Sequence, residues 1–514
     1  MSTSKISRST LPVFFIFCVL TTACVWRLSP PLSETVEPSV QNQTTSIPLP
    51  VVVTNTPPAI VEPSSTPPNS KKTSGNPQYI LNAALNYASH YMSVEEQIAY
   101  TNRSADSLNE LVLIVEPNRY QGVFHLKSIA WQDSQLANNY TLETNQVRLP
   151  LRQPLPPGGQ TSLSISYELN LPSPVPSPYT RPVPFGYTPR QTNLVDWYPF
   201  IPPYVSGQGW LAHQPGYFGE HLAYETSDFQ VNVRIIDAPA SAAPAFTVAS
   251  SSPASLDSDG YHFQMDNSRN FALSTSHDYL VTSKTFGDVS IYGYAFPIHA
   301  AAGQAALDVT ANAFALYNEL LGDYPHRTLS VVEADFLDGM EYDGMYFLSN
   351  GFYNLYNGSP SDYLTAIAAH ETAHQWFYGM VGNDQAMDPW LDEALCTYAE
   401  RLYYERYHPE ALDWWWAYRI NYYAPRGQVN GSIYSYTYTT EAYRAYRDAV
   451  YLNGTVFLEE LRTTIGDQSF FAFLKDYVSQ NTKKLASTKV FFEILKAHTQ
   501  FDLSPLTSKY FSTP

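Results

Sequence analysis

The stretch that decides the reading runs from Ser359 to Glu400. Its centre is His370-Glu371-Thr372-Ala373-His374, followed by Trp390-Leu391-Asp392-Glu393-Ala394. Two histidines four residues apart on a helix present their imidazoles on one face, close enough to hold a single metal ion. Glu371 projects about 100° further round that helix, where its carboxylate reaches a water on the metal without ligating it.

The flanking residues favour helix. Ser359 is placed to cap it, Pro360 suits the first turn, and Asp362 completes a capping-box-like pattern before the run Tyr363 to Tyr378. A second start follows, with Asp388 as cap and Pro389 in the first turn of a helix reaching about Tyr407. Eighteen residues separate His374 from Glu393, which lies one turn into the second helix and is the expected third ligand. Two neutral histidines and one carboxylate leave an open position for water, the donor set of a catalytic zinc site with one Zn2+ per chain. Glu400 lies seven residues beyond Glu393, on the same helix face. It either orients a ligand histidine or belongs to the helix surface.

A chain of 514 residues, 44% hydrophobic and 15% aromatic, holds more than one folded unit with substantial cores. Its net charge of −18 argues against a nucleic-acid partner and against basic-patch adhesion to anionic lipid. Cys18 and Cys24 fall in the amino-terminal segment, so Cys396 is the one thiol of the folded part; no internal disulfide is expected there, and a buried, inert core thiol is the favoured reading.

Residues 1–24 read as a processing signal, with Lys5 and Arg8 before the apolar run Leu11 to Leu20. Leu20-Thr21-Thr22-Ala23-Cys24 resembles a bacterial lipoprotein box; an uncleaved anchor and plain secretion are the alternatives. Residues 25–77, rich in Pro, Thr and Ser, read as a solvated linker. The chain is therefore expected to be exported and held at a membrane surface by its amino terminus, with the linker as stalk.

Residues 78–288 read as an all-β domain, a sandwich or saddle of antiparallel strands. Leu163, Ile165, Tyr167, Leu169 and Leu171 alternate with polar residues, as do Phe229, Val231, Val233 and Ile235; Glu110 to Glu116 is apolar enough to be covered on both faces. Residues 289–514 are mixed and then mainly helical. A helix is expected over Ala301 to Leu321 with Gly322 as its stop, then a strand over Thr328 to Ala334, and helix again through Tyr451 to Val478. The cluster Trp414-Trp415-Trp416 reads as helix packing in preference to a substrate platform.

Over roughly residues 78–514 the chain resembles the aminopeptidase N family of zinc metallopeptidases, the gluzincin group that includes leukotriene hydrolase. The resemblance rests on His370 to His374 with Glu393 at the family's spacing, continued by Trp376, Phe377 and Gly379. It rests also on Gly339-Met340-Glu341, which is similar to the family's exopeptidase motif, and on Tyr451-Leu452-Asn453-Gly454, which is similar to its catalytic-tyrosine segment.

The resemblance implies an all-β, saddle-like amino-terminal domain followed by an α+β, mainly helical, thermolysin-like zinc domain. It implies a zinc aminopeptidase acting on peptides with a free amino terminus. Glu371 would be the general base and Tyr451 the oxyanion donor. Glu341, with Gly339 and Met340, would bind the substrate's α-ammonium. Two residues depart from the family's motifs: Tyr342 stands where it has Asn, and Asn453 where it has Lys. The large helical carboxy-terminal domain of the bigger members is expected to have no counterpart in these residues, which would leave a more open cleft. A zinc endopeptidase using the same site, or a non-catalytic surface binding protein on a peptidase fold, are the other readings.

Overall fold

Apolar residues alternating with polar ones set the first part of the fold. The computed structural model describes residues 75–173, 184–236, 246–436 and 442–512. The expected signal at 1–24 and all but the last three residues of the expected linker at 25–77 lie outside the described residues. Tyr79, Leu81, Ala83 and Leu85 bury one face of Gln78–Asn86, and Met92, Val94 and Ile98 do so on Tyr91–Thr101. These strands are central to a seven-stranded sheet. From edge to edge it runs Ala254–Asp257, Gly260–Ser268, Ser227–Ile235, Gln78–Asn86, Tyr91–Thr101, Gln160–Asn170 and Phe124–Trp131.

The pairings are antiparallel with one exception: Gln78–Asn86 lies parallel to Ser227–Ile235, with Leu81 opposite Val231. These two strands lie far apart in sequence, so the chain between them is long enough for the crossover that a parallel pair needs. A three-stranded sheet containing Leu108–Ile114 and a four-stranded one containing Leu273–Ser276 share the same apolar core. One residue breaks the alternation. Glu96 faces that core between Leu81 and Ile165, is 1% exposed, and its carboxyl oxygens have no hydrogen-bond partner.

A five-stranded sheet follows, in the order Leu280–Phe286, Val289–Ala295, Thr328–Ala334, Met345–Ser349, Gly339–Tyr342. Its first two strands pair as a hairpin, so the expected boundary between 288 and 289 falls at a turn and the second unit's sheet begins at Leu280. Period-two alternation marks a strand but does not say which sheet receives it. Helix α1 (Ala300–Leu321) connects the parallel strands Val289–Ala295 and Thr328–Ala334.

Every residue of Thr328–Ala334 is buried, as in a sheet covered on both faces. Val332, Ala334, Met345 and Phe347 join the core of the β domain, whereas Leu329, Val331, Tyr346 and Leu348 join the helical core. The sheet is thus a wall common to both cores, and its last strand carries Gly339-Met340-Glu341.

Beyond it lie α2 (Asn350–Leu355), α3 (Tyr363–Ala373) and α4 (Trp390–Tyr407). The caps differ from expectation. Asp362, not Ser359, caps α3, accepting from the Thr365 amide at 2.8 Å, and Pro360 precedes the helix. Asp388 does not cap α4 with its side chain, because the Thr488 hydroxyl, at 2.7 Å, and the Thr488 amide, at 3.3 Å, have taken its carboxylate. Helix α3 ends at Ala373 instead of Tyr378. The amides of Gly379, Met380 and Val381 then reach back to the carbonyls of His374, Gln375 and Trp376, and Tyr378 has φ of 147°.

Helices Gly454–Ile465, Asp467–Asn481, Thr488–Ala497 and Ser504–Tyr510 complete the unit. Among the described residues no helix is long and apolar enough to cross a membrane.

Candidate active site

Helices α3 and α4 are held side by side by α1, whose Tyr317 hydroxyl lies 3.1 Å from the Ala369 carbonyl and 3.0 Å from that of Ala399. This brings His370, His374 and Glu393 together, with their ligand atoms all within 4.8 Å of one another. The hydrogen bonds fix which ring nitrogen is free. His370 Nδ1 lies 2.9 Å from Glu400 Oε1, and His374 Nδ1 lies 3.2 Å from the Phe377 carbonyl. Each Nδ1 therefore carries the hydrogen, and each Nε2 turns a lone pair toward Glu393.

The separations from Glu393 Oε2 are 3.2 Å to His370 Nε2 and 3.7 Å to His374 Nε2. Two donors on a tetrahedral zinc, with bonds of about 2.0–2.1 Å, sit roughly 3.3–3.4 Å apart. Three electron-pair donors converging in this way call for a positive charge among them, a proton or a metal ion. The residues fit zinc. Burial opposes charge on His370, but Glu393, Glu400 and Glu371 outweigh it and push its pKa up to about 10, a measure of how strongly the site attracts positive charge.

Glu400 faces inward and is fully buried. Besides His370 it accepts from Trp415 Nε1 at 2.9 Å and from Arg419 at 2.9 and 2.7 Å. Burial alone would raise its pKa; Arg419 and His370 reverse this and hold the carboxyl below the usual range. Trp415 and Arg419 lie in a π-helical segment, Trp415–Ile420. The tryptophan cluster thus packs around Glu400: Trp415 is fully buried, and Trp414 and Trp416 lie half-buried against the helical core.

Glu371 is 2% exposed. A Cβ on Gly339 would overlap its Oε1, so only glycine lets the Gly-Met-Glu strand press against this carboxylate. Tyr451 sits in a second π-helical turn, Asp448–Asn453, and its hydroxyl donates to Glu393 Oε1. Its ring lies parallel to His370, with centroids 6.3 Å apart. Gly454 makes this approach possible, since a Cβ there would overlap Ala394 next to Glu393. Asn453 points elsewhere, donating to the Gly427 carbonyl at 2.8 Å. Short π segments are frequent where a helix must present a functional side chain off its regular face.

Glu341 is 2% exposed and accepts from Gln385 Nε2 at 3.2 Å. The same amide donates to Asp392 at 3.0 Å, and the Glu393 amide donates to the other Asp392 oxygen at 2.9 Å. Burial, then the charges of Glu393 and Glu341, raise the Asp392 pKa well above its ordinary value. The donor atoms of Glu341, His374 and Asp392 also lie within 4.8 Å of one another, so Glu341 adjoins the metal-ligating trio. Met340, Glu341 and Tyr342 form one wall of a cavity whose opposite wall comes from the β domain, with Glu116, Asp196 and Tyr224. Cys396, buried near the Phe377 carbonyl, has its thiol pKa raised by burial and is chemically quiet.

Sequence reasoning did not anticipate Gln385, Asp392, Arg419 or the β-domain wall. Asp392 alone carried a signal, as a carboxylate adjoining Glu393 near a helix start; the others converge only through the tertiary fold.

Residues 305–510 match the model of the peptidase family M1 domain. Among solved structures, a mutant of an M1 zinc metallopeptidase from Deinococcus radiodurans aligns with a TM-score of 0.60 at 16% identity, over 85% of this chain and 95% of that one. A mutant of that organism's M1 zinc metallopeptidase bound to a Tyr-Ser-Ala substrate gives 0.58 at 16% identity, with the same coverage of 85% and 95%. A two-domain M1 zinc metallopeptidase mutant bound to L-tryptophan gives 0.59 at 16% identity, again over 85% of this chain and 95% of that one. At such identity the likeness is one of fold, and the domain match is confined to residues 305–510. Residues 305–510 thus carry a peptidase family M1 domain, set in a two-part fold similar to that of M1 zinc metallopeptidases.

Proposed function

We propose that the chain is a zinc aminopeptidase, releasing residues from the amino terminus of peptides. One observation carries the reading: a buried carboxylate, Glu341, adjoins the metal-ligating trio at the edge of a cavity. Such a carboxylate pairs with a free α-ammonium through charge-assisted hydrogen bonds. Its closeness to His374 matches the short span between an α-ammonium and the carbonyl of the same residue, so the first peptide bond is the one brought into register.

Zinc held by His370, His374 and Glu393 supplies Lewis-acid polarisation of the scissile carbonyl and lowers the pKa of the attacking water. Glu371, packed against Gly339, takes the proton from that water and delivers it to the leaving amine. The Tyr451 hydroxyl, hydrogen-bonded to Glu393 at rest, turns to the oxyanion as charge develops there. Glu400, fixed by Arg419 and Trp415, keeps the His370 ring in the tautomer that leaves Nε2 free.

Metal analysis of the purified chain together with a panel of aminoacyl-coumarins tests this reading. One zinc per chain and turnover that disappears with chelator and returns with zinc are expected. No zinc and no turnover would point to a binding protein on a peptidase fold, and cleavage of amino-blocked peptides to an endopeptidase. Residues 1–24 and 25–77 support export and tethering of the enzyme through its amino terminus. Recovery of the full chain in the membrane fraction, and its release by Cys24→Ser, is the expected outcome for a lipoprotein.

A further inference from the structure

The cavity beside Glu341 has a composition that peptide hydrolysis alone does not require. Glu116, Asp196, Glu220 and Glu341 line it, together with Arg119 and His221. Glu116 is already committed: it ion-pairs with Arg119, accepts from Asn145 at 2.9 Å and meets His221 at 3.2 Å. Glu341 accepts from Gln385 and, in the proposed reaction, takes the α-ammonium.

Asp196 is different. The neutral Tyr224 hydroxyl donates to it at 2.5 Å, and among the described residues no cation pairs with it. It is held in the left-handed backbone region, φ 48°, a conformation that strains a non-glycine residue and collects at functional positions. Burial, with Glu116 and Glu341 nearby, raises its pKa to about 7.

A second, independent feature belongs to the same cavity. Tyr342, at the position where the family's motif has Asn, is 1% exposed, and its hydroxyl has no hydrogen-bond partner. A buried hydroxyl left unsatisfied is destabilising. After burial, Asp196 is the leading influence on that hydroxyl, which places the two within each other's field. Tyr120 and Phe185, with ring centroids 5.9 Å apart, add an apolar wall. The cavity therefore combines a carboxylate lacking a cation, a hydroxyl lacking a partner and aromatic sides.

We propose that this cavity receives the cationic side chain of a substrate's first residue, arginine or lysine, with Asp196 setting the preference and Tyr342 as second acceptor. The assignment rests on the aminopeptidase reading. A long side chain lays its apolar stem along the aromatic walls and brings its charged head to Asp196. A guanidinium has donors enough for Asp196 and Tyr342 at once, so arginine stands ahead of lysine.

The test uses the zinc-loaded full chain with coumarin derivatives of arginine, lysine, leucine, phenylalanine and alanine. Arginine and lysine substrates are expected to show kcat/KM at least about tenfold above leucine and phenylalanine. Asp196→Asn should lower the arginine-to-leucine ratio by about tenfold or more, and Tyr342→Phe should lower the arginine-to-lysine ratio by about threefold. Tyr342→Phe removes only an oxygen without a partner, so it gives a folded second variant should Asp196→Asn fail to fold. A wild-type preference for leucine or phenylalanine overturns the proposal, as does an arginine-to-leucine ratio unchanged by Asp196→Asn. Turnover of none of the five substrates defeats the aminopeptidase reading itself, and this assignment with it.

Discussion

The α3–α4 pair and the seven-stranded sheet each bury a carboxyl group almost completely, Glu400 in the first and Glu96 in the second. Their surroundings are opposite. Glu400 accepts from His370, Trp415 and Arg419, and its pKa is lowered once those partners overcome burial. Glu96 has no partner for either oxygen, and burial alone raises its pKa well above the ordinary value. A buried acid with cationic and hydrogen-bonding partners is an ionised structural part of a site; a buried acid without them is a neutral liability in a core. Exposure alone does not separate the two, whereas the partners do.

The largest test of this contrast is at the site itself. Glu371→Gln keeps the shape but removes the proposed base, and is expected to lower kcat by about 10²–10⁴ with zinc still bound, read from steady-state kinetics beside metal analysis. Next, Arg419→Met leaves Glu400 buried without its cation. A loss of about 3–5 kcal/mol in unfolding free energy and a 10–100-fold weaker zinc affinity are expected, measured by denaturant titration and by competition with a chelator.

Tyr451→Phe should lower kcat by about 10²–10³ with little change in stability, the signature of a donor that acts on developing charge. The smallest effect belongs to the sheet. Glu96→Met replaces an unsatisfied acid by an apolar side chain of similar length and should stabilise the fold at pH 8 by about 1–3 kcal/mol without altering kcat/KM.

The same pair predicts opposite pH dependence. Glu96 holds its proton more tightly folded than unfolded, so its contribution is fullest below the unfolded value of about 4.3 and is lost as pH rises toward the folded pKa. Glu400, with its folded pKa depressed, contributes above the unfolded value and loses that contribution as pH falls. The difference in stability between Glu96→Met and the parent should therefore widen from pH 4 to pH 8; a constant difference would show that Glu96 is hydrogen-bonded in solution.

What was legible in the sequence was mostly local. His370, Glu371 and His374 fall within five consecutive residues at the end of one helix, and Glu393 lies one turn into the next, so spacing alone proposed the trio that the fold assembles. The parts that stayed hidden depend on chains meeting from far apart. Arg419 and Trp415 reach Glu400 through a π-helical segment that breaks the regular periodicity on which face assignments rest. Asp196 arrives at the cavity from the β domain, and no spacing in the chain connects it with Glu341. Asp388 had the residue type and place of a cap, yet Thr488, one hundred residues away, claims its carboxylate. Leu280–Phe286 lies within the stretch read as all-β, and nothing local in its sequence says which sheet receives it.

The most direct measurement compares one peptide with a free amino terminus against its amino-acetylated form, in the wild type and in Glu341→Ala. The account predicts stepwise release of single residues from the free peptide, with kcat/KM at least about 30-fold above the acetylated one, and a ratio reduced to within a few-fold by Glu341→Ala. Equal cleavage of both peptides by the wild type, with internal fragments as first products, would contradict it.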